Sequence, residues 1–96
     1  MASLVLGAGI VGSAAAWDLR RRGHDVTVAD VDRETTERVA TAFGATAVTI
    51  DVAKGRDLME LIGFHDVVVS AIPYSYGYAV ASAALASGTH YLDFGG

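Results

Sequence analysis

Three glycines near the start of the chain have the type and spacing that phosphate binding requires. Gly7, Gly9 and Gly12 form the pattern G-x-G-x-x-G between a short apolar run and a helical pattern. The first glycine permits a tight turn, the second lets a pyrophosphate approach the backbone, and the third lets a helix pack closely on the preceding strand. That helix would direct its N–H groups and the positive end of its dipole at the phosphates. The spacing therefore predicts a dinucleotide site.

An acidic residue follows where such a site needs one. A second strand-like run ends in Asp30, at about the spacing of roughly 20 residues at which a carboxylate meets the adenosine ribose. A carboxylate there accepts hydrogen bonds from the ribose hydroxyls and repels a 2′-phosphate, which favours NAD over NADP. Arg33 could accommodate a 2′-phosphate, but Asp32 and Glu34 flank it and partly compensate its charge. We predict NAD, and NADP is the open alternative.

Strand and helix patterns alternate along the whole chain. This predicts an α/β fold of the Rossmann type, a doubly wound parallel sheet of about five strands in the order 3-2-1-4-5 with helices on both faces. We expect five strands, at residues 3–6, 26–29, 45–50, 65 or 66 to 71, and 90–94. We expect four helices, at residues 10–22, 33–43, 55–62 and 76–87. In the first helix two apolar stripes are expected, formed by Val11, Ala15 and Leu19 and by Ile10, Ala14 and Trp17.

Size and composition exclude several classes of protein. The 96 residues predict one domain, 52% of them are hydrophobic, and the net charge of −4 argues against a nucleic-acid partner. The sequence has no cysteine, which excludes disulfides and thiolate metal sites and fits a cytoplasmic location. No apolar run approaches the 18 or so residues that span a bilayer, so we expect no membrane partner. Sheets of this type usually have six strands, so we expect residues 1–96 to be the cofactor domain of a longer enzyme.

The ends of the strands add candidate residues to the glycine turn. In a doubly wound sheet, ligands lie outside the carboxyl ends of the strands. Asp51 and Val52 are expected near the adenine or as a simple turn, and residues 70–73 along the nicotinamide half or as a turn fixed by proline. The predicted cofactor-binding set is Gly7, Ala8, Gly9, Ile10, Val11, Gly12, Asp30, Val31, Arg33, Asp51, Val52, Ser70, Ala71, Ile72 and Pro73.

No catalytic residue or metal ligand is predicted. The three histidines, His24, His65 and His90, lie at or just before the starts of strands. Strand starts are at the opposite edge of the sheet from the ligand, so these side chains are unsuited to act on it. Three tyrosines between residues 74 and 78 are expected to pack rather than to take part in catalysis.

Two further stretches resemble a known family. Residues 66–74, DVVVSAIPY, and residues 86–96, ASGTHYLDFGG, together with Asp51-Val52, are similar to the N-terminal domain of the saccharopine dehydrogenase-like family. That family includes saccharopine reductases, lysine 6-dehydrogenases and carboxynorspermidine dehydrogenases, and the resemblance covers the whole chain. It implies a parent enzyme that oxidises or reduces a carbon–nitrogen bond of an amino acid or related amine with a nicotinamide cofactor. It also implies that a second domain binds most of the small amino-acid-type substrate, so no catalytic residue is carried over.

Two expectations complete this picture. A regulatory module that senses NAD without catalysis would share the glycine turn and the acidic residue, and it is the alternative function. The last predicted strand would form a sheet edge that exposes Tyr91, Leu92 and Phe94, and edges of this kind pair with other chains. We therefore expect a homo-oligomer.

Overall fold

The computed structural model describes residues 1–51, 55–72 and 77–93. Its elements are β1 (Ala2–Leu6), α1 (Ile10–Arg21), β2 (Asp25–Asp30), α2 (Arg33–Phe43), β3 (Thr46–Thr49), α3 (Gly55–Gly63), β4 (Val67–Ser70), α4 (Gly77–Ser87) and β5 (His90–Asp93). Every predicted strand and helix is present, and several ends differ by one residue. The predictions for Val52, Pro73, Tyr74, Tyr76 and Phe94 lie outside the described residues.

The five strands form one parallel sheet in the order β3-β2-β1-β4-β5, as predicted. β1 lies at the centre, where Leu6 is in register with Ala29 of β2 on one side and Ser70 of β4 on the other. The chain builds outward from β1 to β3 and then crosses back to β4 on the other side. Strand order therefore reverses beside the carboxyl end of β1, the place where doubly wound sheets bind ligands.

Side chains of β1 alternate between two apolar layers, and Leu4, Val5 and Leu6 are fully buried. Leu4 and Leu6 pack on one face, and the residues of α3 and α4 in that cluster are Leu58, Ile62, Val80, Ala83 and Ala84. Val5 packs on the other face, and the buried residues of α1 and α2 there are Ala16 and Val39. A central strand buried on both faces explains the unbroken apolar run in the sequence.

The buried face of α1 differs from one predicted stripe completely and from the other at Val11, which is 47% exposed. Gly12 and Ala16 are its buried residues, and Ala15 and Leu19 are partly buried against the core. The predicted stripe of Ile10, Ala14 and Trp17 is exposed, with Ile10 at 91%, so that prediction is wrong. The helix approaches the sheet through its smallest side chains, and this places the bulkier ones of that stripe in solvent.

The histidines lie at the amino edge of the sheet or beside it, away from the predicted site. The Ser3 hydroxyl and His24 Nδ1 are 2.7 Å apart, and His65 Nδ1 is 2.8 Å from the Leu61 carbonyl oxygen. The backbone N–H of His90 donates to the Asp66 carbonyl at 3.2 Å. The first contact joins β1 to the segment before β2, the second holds the segment before β4 against α3, and the third joins the starts of β4 and β5.

Candidate functional site

The turn after β1 requires glycine at its first position. Gly7 has a φ of +107°, which L side chains rarely adopt. A Cβ at Gly7 would also lie 2.8 Å from the carbonyl oxygen of Ala71. The Gly7 N–H donates to the Ala29 carbonyl at 2.8 Å, so the turn continues the β1–β2 pairing before it reverses. The turn is therefore seated between the ends of β2 and β4.

Gly12 allows α1 to start directly against this turn. A Cβ on Gly12 would overlap the carbonyl oxygen of Gly7. This is the close packing of helix on strand that the spacing predicts for the third glycine. The hydroxyl of Ser13 adds a bond of 3.3 Å to the Ala8 carbonyl, and the sequence analysis did not include Ser13.

Gly9 has the opposite environment, because it faces open space. It is the N-cap residue of α1, no side chain caps the helix there, and a Cβ on Gly9 would have no neighbour within 4 Å. Helix geometry leaves the first N–H groups of α1 without acceptors inside the helix. Donors and a positive dipole end thus face a space into which an anion can enter.

The Asp30 carboxylate joins the glycine turn to the end of β2. Its Oδ2 accepts the Ala8 N–H at 2.8 Å, and its Oδ1 accepts the Val31 N–H at 2.6 Å. Each carboxylate oxygen has a second lone pair, so both can accept a further donor such as a ribose hydroxyl. The side chain of Val31, next to Asp30 in the chain, is 67% exposed and adds apolar surface close to the carboxylate.

The turn from β2 into α2 is held by a second carboxylate. Asp32 is the N-cap of α2; its Oδ1 accepts the Thr35 N–H at 3.3 Å and its Oδ2 accepts the Thr35 hydroxyl at 3.1 Å. These hydrogen bonds, the backbone one first, hold the pKa of Asp32 below its ordinary value. The predicted site residue Arg33 is exposed, and its Nε pairs with Glu37 Oε1 at 3.0 Å.

Glu37 was missed by the sequence analysis, although its position four residues after Arg33 is the spacing of a helical ion pair. The pair lies on the surface of the first turns of α2, whereas the sequence had indicated that Asp32 and Glu34 would partly compensate the charge of Arg33.

The remaining predicted residues lie at the same edge of the sheet. Ser70 is the buried last residue of β4, and Ala71 and Ile72 after it are half-buried. The Ala71 N–H donates to the Leu6 carbonyl at 2.8 Å, which keeps this segment beside the glycine turn. Asp51 is exposed after β3.

Beside Asp51 a groove of about 440 Å³ opens between β3 and α3. Its apolar walls come from Ile50, Leu61 and Phe64, and its acidic groups are Asp51, Asp57 and Glu60. The structure thus places the ends of β1, β2, β3 and β4 along one edge, with apolar surface next to them.

Within residues 1–51, 55–72 and 77–93, no group of three or more histidine, cysteine, aspartate or glutamate side chains could hold a metal ion. In the same part of the chain no helix is long and apolar enough to cross a membrane.

This sheet order, the glycine turn that opens α1 and the acidic end of β2 define a dinucleotide-binding domain of the Rossmann type. The chain belongs to the family described as "Saccharopine dehydrogenase NADP binding domain", whose model matches residues 3–95. It is therefore a nicotinamide-dinucleotide-binding domain of an oxidoreductase family, and the resemblance noted in the sequence is confirmed.

Individual relatives agree with this assignment. Saccharopine dehydrogenase (L-Glu forming) from Saccharomyces cerevisiae superposes with a TM-score of 0.90 and 28% identity over 96% of this chain, which covers 21% of that protein. D-amino acid dehydrogenases from Dechloromonas aromatica and Paramagnetospirillum magneticum are 54% and 49% identical over 43 residues. Those residues amount to 45% of this chain and 10% of each dehydrogenase. The chain thus spans a small part of the relatives it matches.

Proposed function

We propose that this chain is the NAD-binding domain of an oxidoreductase that acts on a carbon–nitrogen bond of an amino acid or related amine. Family membership supports the nicotinamide cofactor and the oxidoreductase class. The names of the relatives, saccharopine dehydrogenase and D-amino acid dehydrogenase, support an amino-acid-type substrate. A second domain would bind most of that substrate and supply the catalytic groups. A cytoplasmic location stays a prediction.

One observation carries the cofactor proposal: the Asp30 carboxylate is fixed by the Ala8 and Val31 N–H groups at the edge where Gly9 faces open space. With a pyrophosphate over the start of α1, the adenosine ribose is the part of the cofactor that reaches the end of β2. Asp30 then has spare lone pairs for two vicinal hydroxyls.

The other predicted residues follow from that placement. The N–H groups of Ile10 and Val11 would face the pyrophosphate, and Val31 and Asp51 would flank the adenine. The segment at the end of β4, Ser70 to Ile72, would run beside the nicotinamide ribose. Bound cofactor would accept a hydride from the substrate or donate one to it, and this domain would hold the cofactor in one orientation.

The preference for NAD follows from the charge of Asp30. A 2′-phosphate carries close to two negative charges at neutral pH, and Asp30 would lie beside it as a like charge. Arg33, the residue that could compensate, is paired with Glu37. The family description names NADP, so the choice between the two cofactors is the sharpest test of the proposal.

The test is a calorimetric titration of the chain with NAD and with NADP at one salt concentration. We expect NAD to bind more tightly. Asp30→Asn should weaken NAD by about tenfold or more, because a charge-assisted hydrogen bond is worth roughly 1.5–3 kcal/mol. The affinity for NADP should fall by a smaller factor, because the same change removes the repulsion between Asp30 and the 2′-phosphate. Asp25→Asn, at the start of β2, is the matched control. Tighter binding of NADP than of NAD to the unaltered chain would contradict the proposed preference.

We also propose that the chain self-associates through β5, which is an edge of the sheet among the described strands. Leu92 on β5 is 60% exposed, and an edge strand leaves backbone groups unpaired on its outer side. In sedimentation experiments at high concentration, Leu92→Lys should lower the oligomeric fraction. Phe64→Lys, an equally drastic change at an 81% exposed residue after α3, should not. A monomeric unaltered chain would contradict this.

A further inference from the structure

We propose that Asp32 and Glu37 are specificity residues that exclude NADP by closing the start of α2 to a 2′-phosphate. The inference rests on the proposed function, since it takes the adenosine ribose to lie at Asp30. It concerns residues that do not touch the ribose, and it explains how a basic residue can follow β2 in a site that selects NAD.

The N-terminus of α2 follows directly after β2, whose last residue is Asp30. Such a helix end attracts anions through its N–H groups and its dipole. Here the carboxylate of Asp32 already occupies that position, with both oxygens bound by Thr35. A 2′-phosphate next to Asp30 would be repelled by a second negative charge, that of Asp32, at the helix end whose N–H groups would otherwise attract it.

The first turn of α2 also contains a cation. Arg33 is the first residue of α2, and Glu37 holds its Nε at 3.0 Å from one helical turn further on. Both side chains are mostly exposed, and exposed pairs of this spacing are weak. Glu37 therefore reduces the availability of Arg33 without abolishing it, and its effect should be smaller than that of Asp32.

The charge balance of the whole segment supports the roles given to Asp32 and Glu37. Between residues 30 and 38 four carboxylates stand against two guanidinium groups, the acids being Asp30, Asp32, Glu34 and Glu37 and the bases Arg33 and Arg38. Neutralising Asp32 and Glu37 brings this balance to zero and leaves Arg33 without its partner.

The experiment uses Asp32→Asn, Glu37→Gln and the double variant, each titrated with NAD and with NADP by calorimetry. Asparagine is as good an N-cap as aspartate, so α2 keeps its start. We expect Asp32→Asn to tighten NADP about fivefold and Glu37→Gln about twofold, with NAD unchanged within about twofold. Asp25→Asn removes the same charge at the opposite edge of the sheet and should leave the ratio of the two affinities as it is.

The role of Arg33 is tested by adding Arg33→Gln to Glu37→Gln. The gain in NADP affinity caused by Glu37→Gln should then vanish. A gain that persists overturns the role given to Glu37. If the chain binds NAD and the double variant keeps the original ratio of NADP to NAD affinity, the inference is wrong while the proposed function stands. If the unaltered chain binds neither dinucleotide, both are wrong.

Discussion

Two helices begin at the same edge of this sheet, and their first turns are built in opposite ways. α1 begins at Gly9, which has no side chain to cap it and open space in front of it. α2 begins at Asp32, whose carboxylate binds the Thr35 N–H and hydroxyl. Both ends present N–H groups and a positive dipole end, yet only the first leaves them available to a ligand.

The difference shows that the two helix ends are not equally available to an anion, because a side chain caps only the second. At α1 the sequence gives up the stability that a capping side chain provides, and the uncapped end is the one proposed for the pyrophosphate. At α2 the sequence keeps that stability and fills the equivalent position with its own negative charge. Under the proposed function, the start of α1 is the phosphate position and the start of α2 is a position from which phosphate is excluded.

The largest effect is expected from Gly12→Ala, which tests whether the α1 end depends on close packing. The new Cβ would overlap the Gly7 carbonyl oxygen, so the helix must move away from the turn. We expect the free energy of unfolding to fall by about 3 kcal/mol, measured by urea denaturation. A variant as stable as the unaltered chain would mean that the turn and the helix are not packed as described.

Gly9→Ala is the matched change at the open position of the same turn. A Cβ there has no neighbour within 4 Å, so stability should fall by no more than about 1 kcal/mol, the usual cost of alanine at an N-cap. NAD affinity should fall by about tenfold, or ~1.4 kcal/mol, because the methyl group enters the space assigned to the pyrophosphate. Unchanged affinity would place the pyrophosphate elsewhere.

The smallest effect is expected from acid titration of the α2 cap. Hydrogen bonds from Thr35 lower the pKa of Asp32 from its ordinary 3.8 in the folded chain. Its contribution to stability is therefore present above pH 3.8 and is lost as the pH falls through the lowered folded value. Asp32→Asn should flatten this acid loss of stability, measured by urea denaturation at several pH values.

Asp18 provides the comparison for that titration. Hydrogen bonds from Arg21 and then Arg22 lower the pKa of Asp18 in the same direction, at the far end of α1. Asp18→Asn should also reduce the loss of stability at acid pH, but it should leave the ratio of NADP to NAD affinity unchanged. A steeper acid loss in Asp32→Asn would contradict the cap.

Features that depend on local spacing were predictable. The glycine turn and the alternation of strands and helices are properties of a few adjacent residues, and the structure agrees with them. The strand order also follows, because alternating strands and helices leave few ways to build a parallel sheet.

Features that depend on how closely separate parts of the chain approach each other were not predictable. The buried face of α1 is set by how closely Gly12 and Ala16 approach the sheet, and an alanine-rich helix has no apolar stripe distinct enough to show this. The bond from the Ala8 N–H to Asp30 joins residues 22 positions apart, so no local pattern indicates it.

That bond also bears on the entropy of binding. Because Asp30 accepts the Ala8 N–H and Gly7 is held between the ends of β2 and β4, contacts within the chain itself define the shape of the turn. Ordering it is part of folding rather than of association. If the cofactor binds at this turn as proposed, it should lose little affinity to loop immobilisation, and amide hydrogen exchange at the turn should change little on adding NAD.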